Sequence, residues 1–245
     1  MAVRYAEGVV HGFLTLSTLD GTVIAAGDSA QSVRGNRVTS RLIFHFKDGS
    51  LQDETTVFSQ AGHFRLISDR LIQRGAAFKV QMDLSLNAAT GESTARYTEE
   101  NGKEKTETVR LKLPPDIGNG MIPYLLKNLA PDTPINVPMV IAAPKPMLVR
   151  LAITPEGADT FSVAGSPRKA TRYVAKIEIP GVKGVLATVL GKEPPDTLIW
   201  ILHDSTPTFL RSDGPSCAGC ASWRTQLASP AWPKATEDAA ADRRK

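Results

Sequence analysis

Apolar and polar residues alternate with period two along most of this chain. Between Arg37 and Lys47, Val38, Leu42, Phe44 and Phe46 fall on one side, and Arg37, Thr39, Arg41 and His45 on the other. Only one face of such a strand can be buried, so the pattern predicts antiparallel sheet with a dry side and a wet side. Turn residues punctuate the alternation. Asp20-Gly21 and Asp48-Gly49 are strong hairpin signals, because a tight two-residue turn needs positive φ. The first half reads as strands over Val9–Thr18, Thr22–Ser32, Arg37–Lys47, Ser50–Ser59, His63–Gln73, Phe78–Leu86, Glu92–Thr98 and Lys103–Leu113, with a turn at Asn101-Gly102. In the last of these, Val109, Leu111 and Leu113 share a face.

The alternation stops at Pro114-Pro115-Asp116. Ile117–Leu129 is the one helix candidate: Asp116 is placed to cap it, and Met121, Leu125 and Leu129 recur at helical spacing. Pro123 limits it to a short or late-starting helix. Ala130–Pro146 holds five prolines and reads as a connector with one short strand, Met139–Ala142. Strands then return at Leu148–Thr154, Thr160–Val163, Arg168–Ile179, Val185–Val189, Thr197–His203, Thr208–Arg211 and Ser222–Ala228. The run Leu198–Leu202 is apolar on both faces, which predicts a central or doubly covered strand. The predicted fold is mostly β: a curved antiparallel sheet or open barrel of many hairpins with one short central helix. The domain expectation is one β-rich unit over 3–230. Its halves, 3–113 and 147–230, are joined by the helix 117–129 and the connector 130–146, and a disordered tail follows at 233–245.

The chain has 245 residues, of which 42% are hydrophobic and 22% charged, enough to bury a core without staples. A net charge of +4 invites a nucleic-acid reading, but the distribution opposes it. Lysines and arginines alternate with acids, as in Glu99–Lys105, and the only basic run is Arg243–Lys245, so no nucleic-acid partner is expected. No window approaches the roughly 18 apolar residues of a transmembrane helix. Met1–Gly8 lacks a charged region followed by an apolar core. Periodicity begins near Val3, which favours a mature chain whose signal has been removed. The expected location is periplasmic or secreted, with a cytoplasmic protein as the alternative.

Candidate chemistry is sparse. Cys217 and Cys220 at C-x-x-C spacing can form a disulfide, act as redox thiols or hold half a zinc site. The zinc spacing is incomplete, with His203 the nearest histidine, and a redox pair belongs at a helix N-terminus after a strand. A short disulfide, or two free thiols in a turn, fits the Gly-Pro-Ser context better. His11, His45, His63 and His203 lie on separate predicted strands. His63 with Asp53, Glu54 and Arg65 is the best acid–base cluster, conditional on register. Asp53-Glu54 and Glu99-Glu100 are adjacent in sequence, so each pair points to opposite faces and is no dyad. Gly181–Gly184 reads as a turn, since no helix follows for a phosphate loop. No catalytic residue, metal ligand or cofactor is assigned.

Four segments, Tyr5–Leu14, Asp53–Gln60, Phe64–Asp69 and Ser222–Arg224, resemble an uncharacterised family of bacterial secreted or periplasmic β-rich proteins of the domain-of-unknown-function type. The resemblance spans about residues 5–230. It implies a curved sheet wrapping a helix, similar to half-open lipoprotein-carrier barrels, and an envelope location, with no activity attached. Cys217–Cys220 departs from it, since a Gly-rich turn without cysteines is expected there.

A helix across a concave sheet encloses an apolar cavity in such carriers. Met121, Ile122, Leu125 and Leu126 then line the cavity, or simply plug the core, and Trp200 and Phe209 carry the same two readings. The leading functional expectation is a non-enzymatic envelope protein that binds or carries an apolar, lipid-like molecule. The alternatives are a β module that meets another protein, and a hydrolase-like enzyme with its site assembled from distant strands.

Overall fold

The structure is a computed structural model that describes residues 1–99, 102–163, 165–178, 195–217 and 220–228. The strand over Val185–Val189, the turn at Gly181–Gly184, Glu100, Asn101, the tail 233–245 and the run Arg243–Lys245 lie outside the described residues.

Among the described residues, fourteen strands form one antiparallel sheet. The first eight are β1 Val10–Thr18, β2 Val23–Arg34, β3 Arg37–Phe46, β4 Leu51–Ser59, β5 Arg65–Arg74, β6 Met82–Asn87, β7 Glu92–Thr98 and β8 Glu104–Arg110. After the helix α1, Ile122–Lys127, come β9 Ile135–Ile141, β10 Met147–Val163, β11 Ser166–Glu178, β12 Thr197–Leu202, β13 Thr208–Pro215 and β14 Ser222–Ala228. Every strand pairs with its sequence neighbour except that β8 does not pair with β9. β8 and β9 are the free edges of the sheet, and β1 also pairs with β14, where Phe13 faces Ala228 and Thr18 faces Trp223. The sheet is therefore a meander broken once, at the helix, and sewn together by its first and last strands.

The concave face carries the main apolar cluster. Val38, Phe58, Leu66 and Leu86 reach it from one half of the sheet, and Val137, Ile153, Tyr173 and Ile201 from the other. Met121, Leu125 and Leu126 of the helix region fill the space between. A second cluster at the opposite end joins Leu14, Leu16, Phe44, Phe46, Phe78 and Trp223. There Phe46 lies 5.4 Å from both Phe78 and Trp223, edge to face.

Two edges are protected differently. β8 carries Glu104, Lys105, Glu107 and Arg110 and is almost wholly exposed. β9 contains Pro138, which suits an edge. The chain just before the helix docks along that edge. Gly118 N–H donates to Pro138 O at 2.8 Å, the Asn119 side-chain NH2 donates to Val140 O at 2.7 Å, and Val140 N–H donates to Asn119 Oδ1 at 2.8 Å. One amide side chain thus replaces a missing strand at Val140. The helix is correspondingly shorter than the spacing predicts. Gly118–Asn119 is committed to the edge, Asp116 does not cap, Met121 occupies the N-cap without a side-chain bond, and Pro123 sits in the first turn.

Other departures have local causes. The connector 130–146 contains a seven-residue strand beginning at Ile135 rather than Met139. Leu148–Thr154 and Thr160–Val163 are one strand, because a β-bulge between Pro155 and Ala158 absorbs the break. Phe78 leaves its expected strand and folds from a turn onto Phe46 and Trp223. β8 stops at Arg110, ahead of Leu111 and Leu113, which pack against the main cluster.

Replacing Asn119 with Ala strands two buried backbone groups of Val140. The expected loss is about 2 kcal/mol, read from the urea unfolding midpoint. An unchanged midpoint would show that water or a shifted loop serves the edge equally well.

Candidate functional site

Register places two rows of side chains across the concave face beneath the helix. In the first, Gln31 faces Ser40, Ser40 faces Thr56, Thr56 faces Asp69, Asp69 faces Leu86 and Leu86 faces Ser93. Directly opposed residues share a face, and all six are buried. Five of the six are polar. The next row runs Leu42, Glu54, Leu71, Leu84 and Ala95. It holds a single carboxylate in an apolar line.

The helix and the N-terminal strap over residues 1–8 close onto the polar row. Ser40 Oγ and Tyr124 Oη are 2.6 Å apart, and Thr56 Oγ1 donates to Asp69 Oδ1 at 2.7 Å. Gln31 Nε2 donates to Gly8 O at 2.7 Å and to Glu7 Oε2 at 3.2 Å. Lys127 Nζ lies 2.6 Å from Glu7 Oε1, and both side chains are largely buried. Asn128 Oδ1 accepts from the backbone N–H of Arg4 and of Tyr5, each at 2.8 Å. The strap is held at its other side by Val3 N–H to Gly62 O at 3.0 Å and Phe64 N–H to Met1 O at 2.9 Å. Ser93 Oγ is the one buried side-chain polar atom among the described residues without a partner.

The electrostatics follow from this placement. Burial, with the Asp69 charge added, pushes Glu54 up to about 8. Burial raises Asp69 to about 6 against the opposing hydrogen bond from Thr56. Burial lifts the Tyr124 hydroxyl to about 12, with Glu7 and Glu54 adding to the rise. Glu54 is only half-buried although it points inward, as are Leu42 and Leu71 beside it, so the space under the helix is incompletely filled there.

A cavity of about 200 Å³ lies at the helix end of the sheet. Ile117, Met121, Leu125, Ile135, Val137 and Phe64 bound it, with Met1, Asp116 and Asn136. A larger groove, about 480 Å³, runs along β6 to β8 between Arg74, Asp83, Arg96 and Lys105 and is open and polar.

Of the six residues read from the sequence as ligand-lining, Met121 and Leu125 border the cavity. Leu126 is fully buried in the main cluster, with Ile122 and Phe209 at its margin. Trp200 stands apart. Ile199 and Ile201 point into the core, so Trp200 points to the opposite face. There its Nε1 donates to Asp159 Oδ2 at 2.7 Å, and Arg211 covers its ring at 4.5 Å. Asp213 holds Arg211 and Arg224 on the same face, and these hydrogen bonds keep its carboxyl below the ordinary range against the effect of burial.

The His63 cluster does not assemble. Asp53 points outward and takes both nitrogens of Arg41, at 2.9 and 2.6 Å. His63 sits beyond the Ser59–Arg65 end of the hairpin, roughly 20 Å away along the strand, bridged to Ala2. Cys217 and Cys220 are joined as a disulfide, with Cα atoms 5.2 Å apart, beside the second apolar cluster. Among the described residues no group of three or more potential ligands is placed to hold a metal ion, and no helix is long and apolar enough to cross a membrane. The polar row was missed by sequence reasoning. Asp69 and Thr56 are thirteen residues apart, and only register reveals that they meet.

No family model and no curated protein matches the chain. Solved structures are similar to it at low identity. A β-barrel-like protein of the domain of unknown function DUF1849 from Brucella abortus is 11% identical, with a TM-score of 0.46, covering 94% of this chain and 100% of its own. The hypothetical lipoprotein YmcC from Escherichia coli is 9% identical, TM-score 0.38, covering 93% and 92%. A protein from Bacteroides fragilis described as exported, with a YmcC-like fold, is 9% identical, TM-score 0.35, covering 93% and 98%.

Proposed function

We propose that the protein is a non-enzymatic envelope protein that binds an apolar, lipid-like ligand at the helix end of its half-open sheet. The observation that carries this reading is the cavity of about 200 Å³ walled by Ile117, Met121, Leu125, Ile135 and Val137. Its size suits one chain or ring, below the range of roughly 300–1,000 Å³ usual for drug-sized ligands. Much of the wall is built from parts of the fold that ladder bonds do not hold on both sides: the segment around the helix and the edge strand β9. The Cys217–Cys220 disulfide supports an oxidising compartment. A second reading, a docking surface for another protein, draws on Val9, Val10 and Phe13, which are exposed together near the start of β1.

Organic extraction of natively purified protein, followed by mass spectrometry beside a mock preparation, is expected to yield an apolar compound at near-stoichiometric amount. Ile135→Trp, which fills the cavity from a half-buried strand end, should weaken binding of a fluorescent fatty-acid probe at least tenfold with unchanged far-ultraviolet circular dichroism. Equal extracts and equal probe affinity would remove the cavity as the site. Replacing both cysteines with serine should preserve the β spectrum and lower stability by at most about 3 kcal/mol, because the closed loop is short. Thiol titration of protein from an oxidising compartment should find none free.

A further inference from the structure

Glu54 and Asp69 point into the concave face from adjacent strands, diagonal to one another, with Thr56 beside Asp69. Among the described residues no ion pair reaches either carboxylate. Lys127 is taken by Glu7, and Arg41 and Arg70 are bound on the outer face by Asp53 and Asp83. Asp69 is buried and Glu54 half-buried, so the pair either keeps protons or draws in water, since the uncompensated charge on buried Asp69 is strongly unfavourable.

The cover over the pair is close and lies outside the strand ladder. Gly120, at φ +62°, lies so near that a Cβ there would stand 1.9 Å from Thr56 Oγ1 and 2.9 Å from Asp69 Oδ1. Tyr124 rests on Ser40 next along the row. β4 and β5 are laddered on both sides. The segment Gly118–Asn128 is held by Gly118 and Asn119 on the β9 edge, the Tyr124–Ser40 contact, the Lys127 and Asn128 links to the strap, and the packing of Met121, Leu125 and Leu126 in the main cluster. Unlike β4 and β5, it is not laddered into the sheet.

We propose that Glu54 and Asp69 form a proton-operated latch: with protons bound, the segment Gly118–Asn128 lies closed on the polar row, and when the pair ionises, water enters and the segment lifts. The latch acts whether or not a ligand occupies the neighbouring cavity. Both carboxyls sit above their ordinary range, Glu54 near 8 and Asp69 near 6. The closed state therefore holds more protons than the open one. Closure is complete in acid, weakens as pH rises from about 4, and levels off above about 8. The other charged or titratable groups facing the pair are Tyr124 of the helix and Glu7 of the strap, with Lys127 bound to Glu7. Tyr124 stays protonated throughout this window. β3 and β6 present Ser40, Leu42, Leu84 and Leu86 to it, none of which titrates. His203, bonded to Tyr173 on the far wall, is pushed down by burial.

Hydrogen exchange of the full chain at pH 6.5 and 8.5, corrected for intrinsic rates, tests the latch. The opening constant at the amides of Leu125 and Asn128 should rise about tenfold or more, while amides of β4 and β5 keep theirs, since each proton held across one pH unit is a factor of ten. Glu54→Gln with Asp69→Asn should remove that rise. A flat wild-type profile, strand amides opening together with the helix, or a pH dependence that survives the double substitution would each overturn the proposal. If the double variant does not fold, Glu54→Leu, which matches its neighbours Leu42 and Leu71, should shrink the rise by itself, and an undiminished rise would again overturn it.

Discussion

A curved sheet that does not close must satisfy two free edges and cover one large apolar face. In this protein a single short segment serves one edge, β9, and covers the face, while β8 is left as an exposed, charged edge. Asn119 supplies to Val140 the pair of hydrogen bonds a neighbouring strand would make, and three residues later the helix begins to fill the concave face. A helix of six residues has little stability of its own. Its position depends on the edge contact before it and on the strap after it. Tertiary packing, rather than helical propensity, makes this piece of chain ordered.

The same segment lies on a surface that is unusually polar for an interior. Burying Gln31, Ser40, Thr56, Asp69 and Ser93 sacrifices hydrophobic stabilisation and demands partners. Four of the five find them, through three contacts: Gln31 to the strap, Ser40 to the helix, and Thr56 and Asp69 to each other across neighbouring strands. The row therefore specifies where the cover sits rather than how tightly it sticks. Apolar packing alone would allow the helix to slide, whereas the Tyr124 hydroxyl has one complementary position at Ser40.

Much of this fold was legible in the sequence, because the period-two pattern and the Asp-Gly turns are local signals. Gly21 and Gly49 adopt positive φ as the hairpins require, and Glu92–Thr98 and Ser222–Ala228 match their expected bounds. Pro123 did shorten the helix. What failed was non-local. Asn119 reads as a loop residue until a strand edge lies beside it. Pro155 reads as a break until its partner strand absorbs the bulge. Phe78 reads as a strand residue until two aromatic rings lie within reach. The candidate site was the least legible part. Alternation shows that Glu54 and Thr56 share a face but not which one, and nothing local pairs Thr56 with Asp69. Trp200 sits within an apolar run, yet strand alternation directs it away from its neighbours and onto an outer network of Asp159 and Arg211.

The seam between β1 and β14 has a consequence for how the chain reaches this state. Every other ladder joins strands close in sequence and can form as soon as both have emerged. The seam joins the first strand to the last, so it closes only after the whole chain is present. Until then the first eight strands present an open edge at β1, with Phe13, Val10 and Val9 along it. Such an edge is a template for pairing with other chains. Pairing of such high contact order is of the kind that folds slowly. A polypeptide built this way keeps that edge open until its β14 segment arrives.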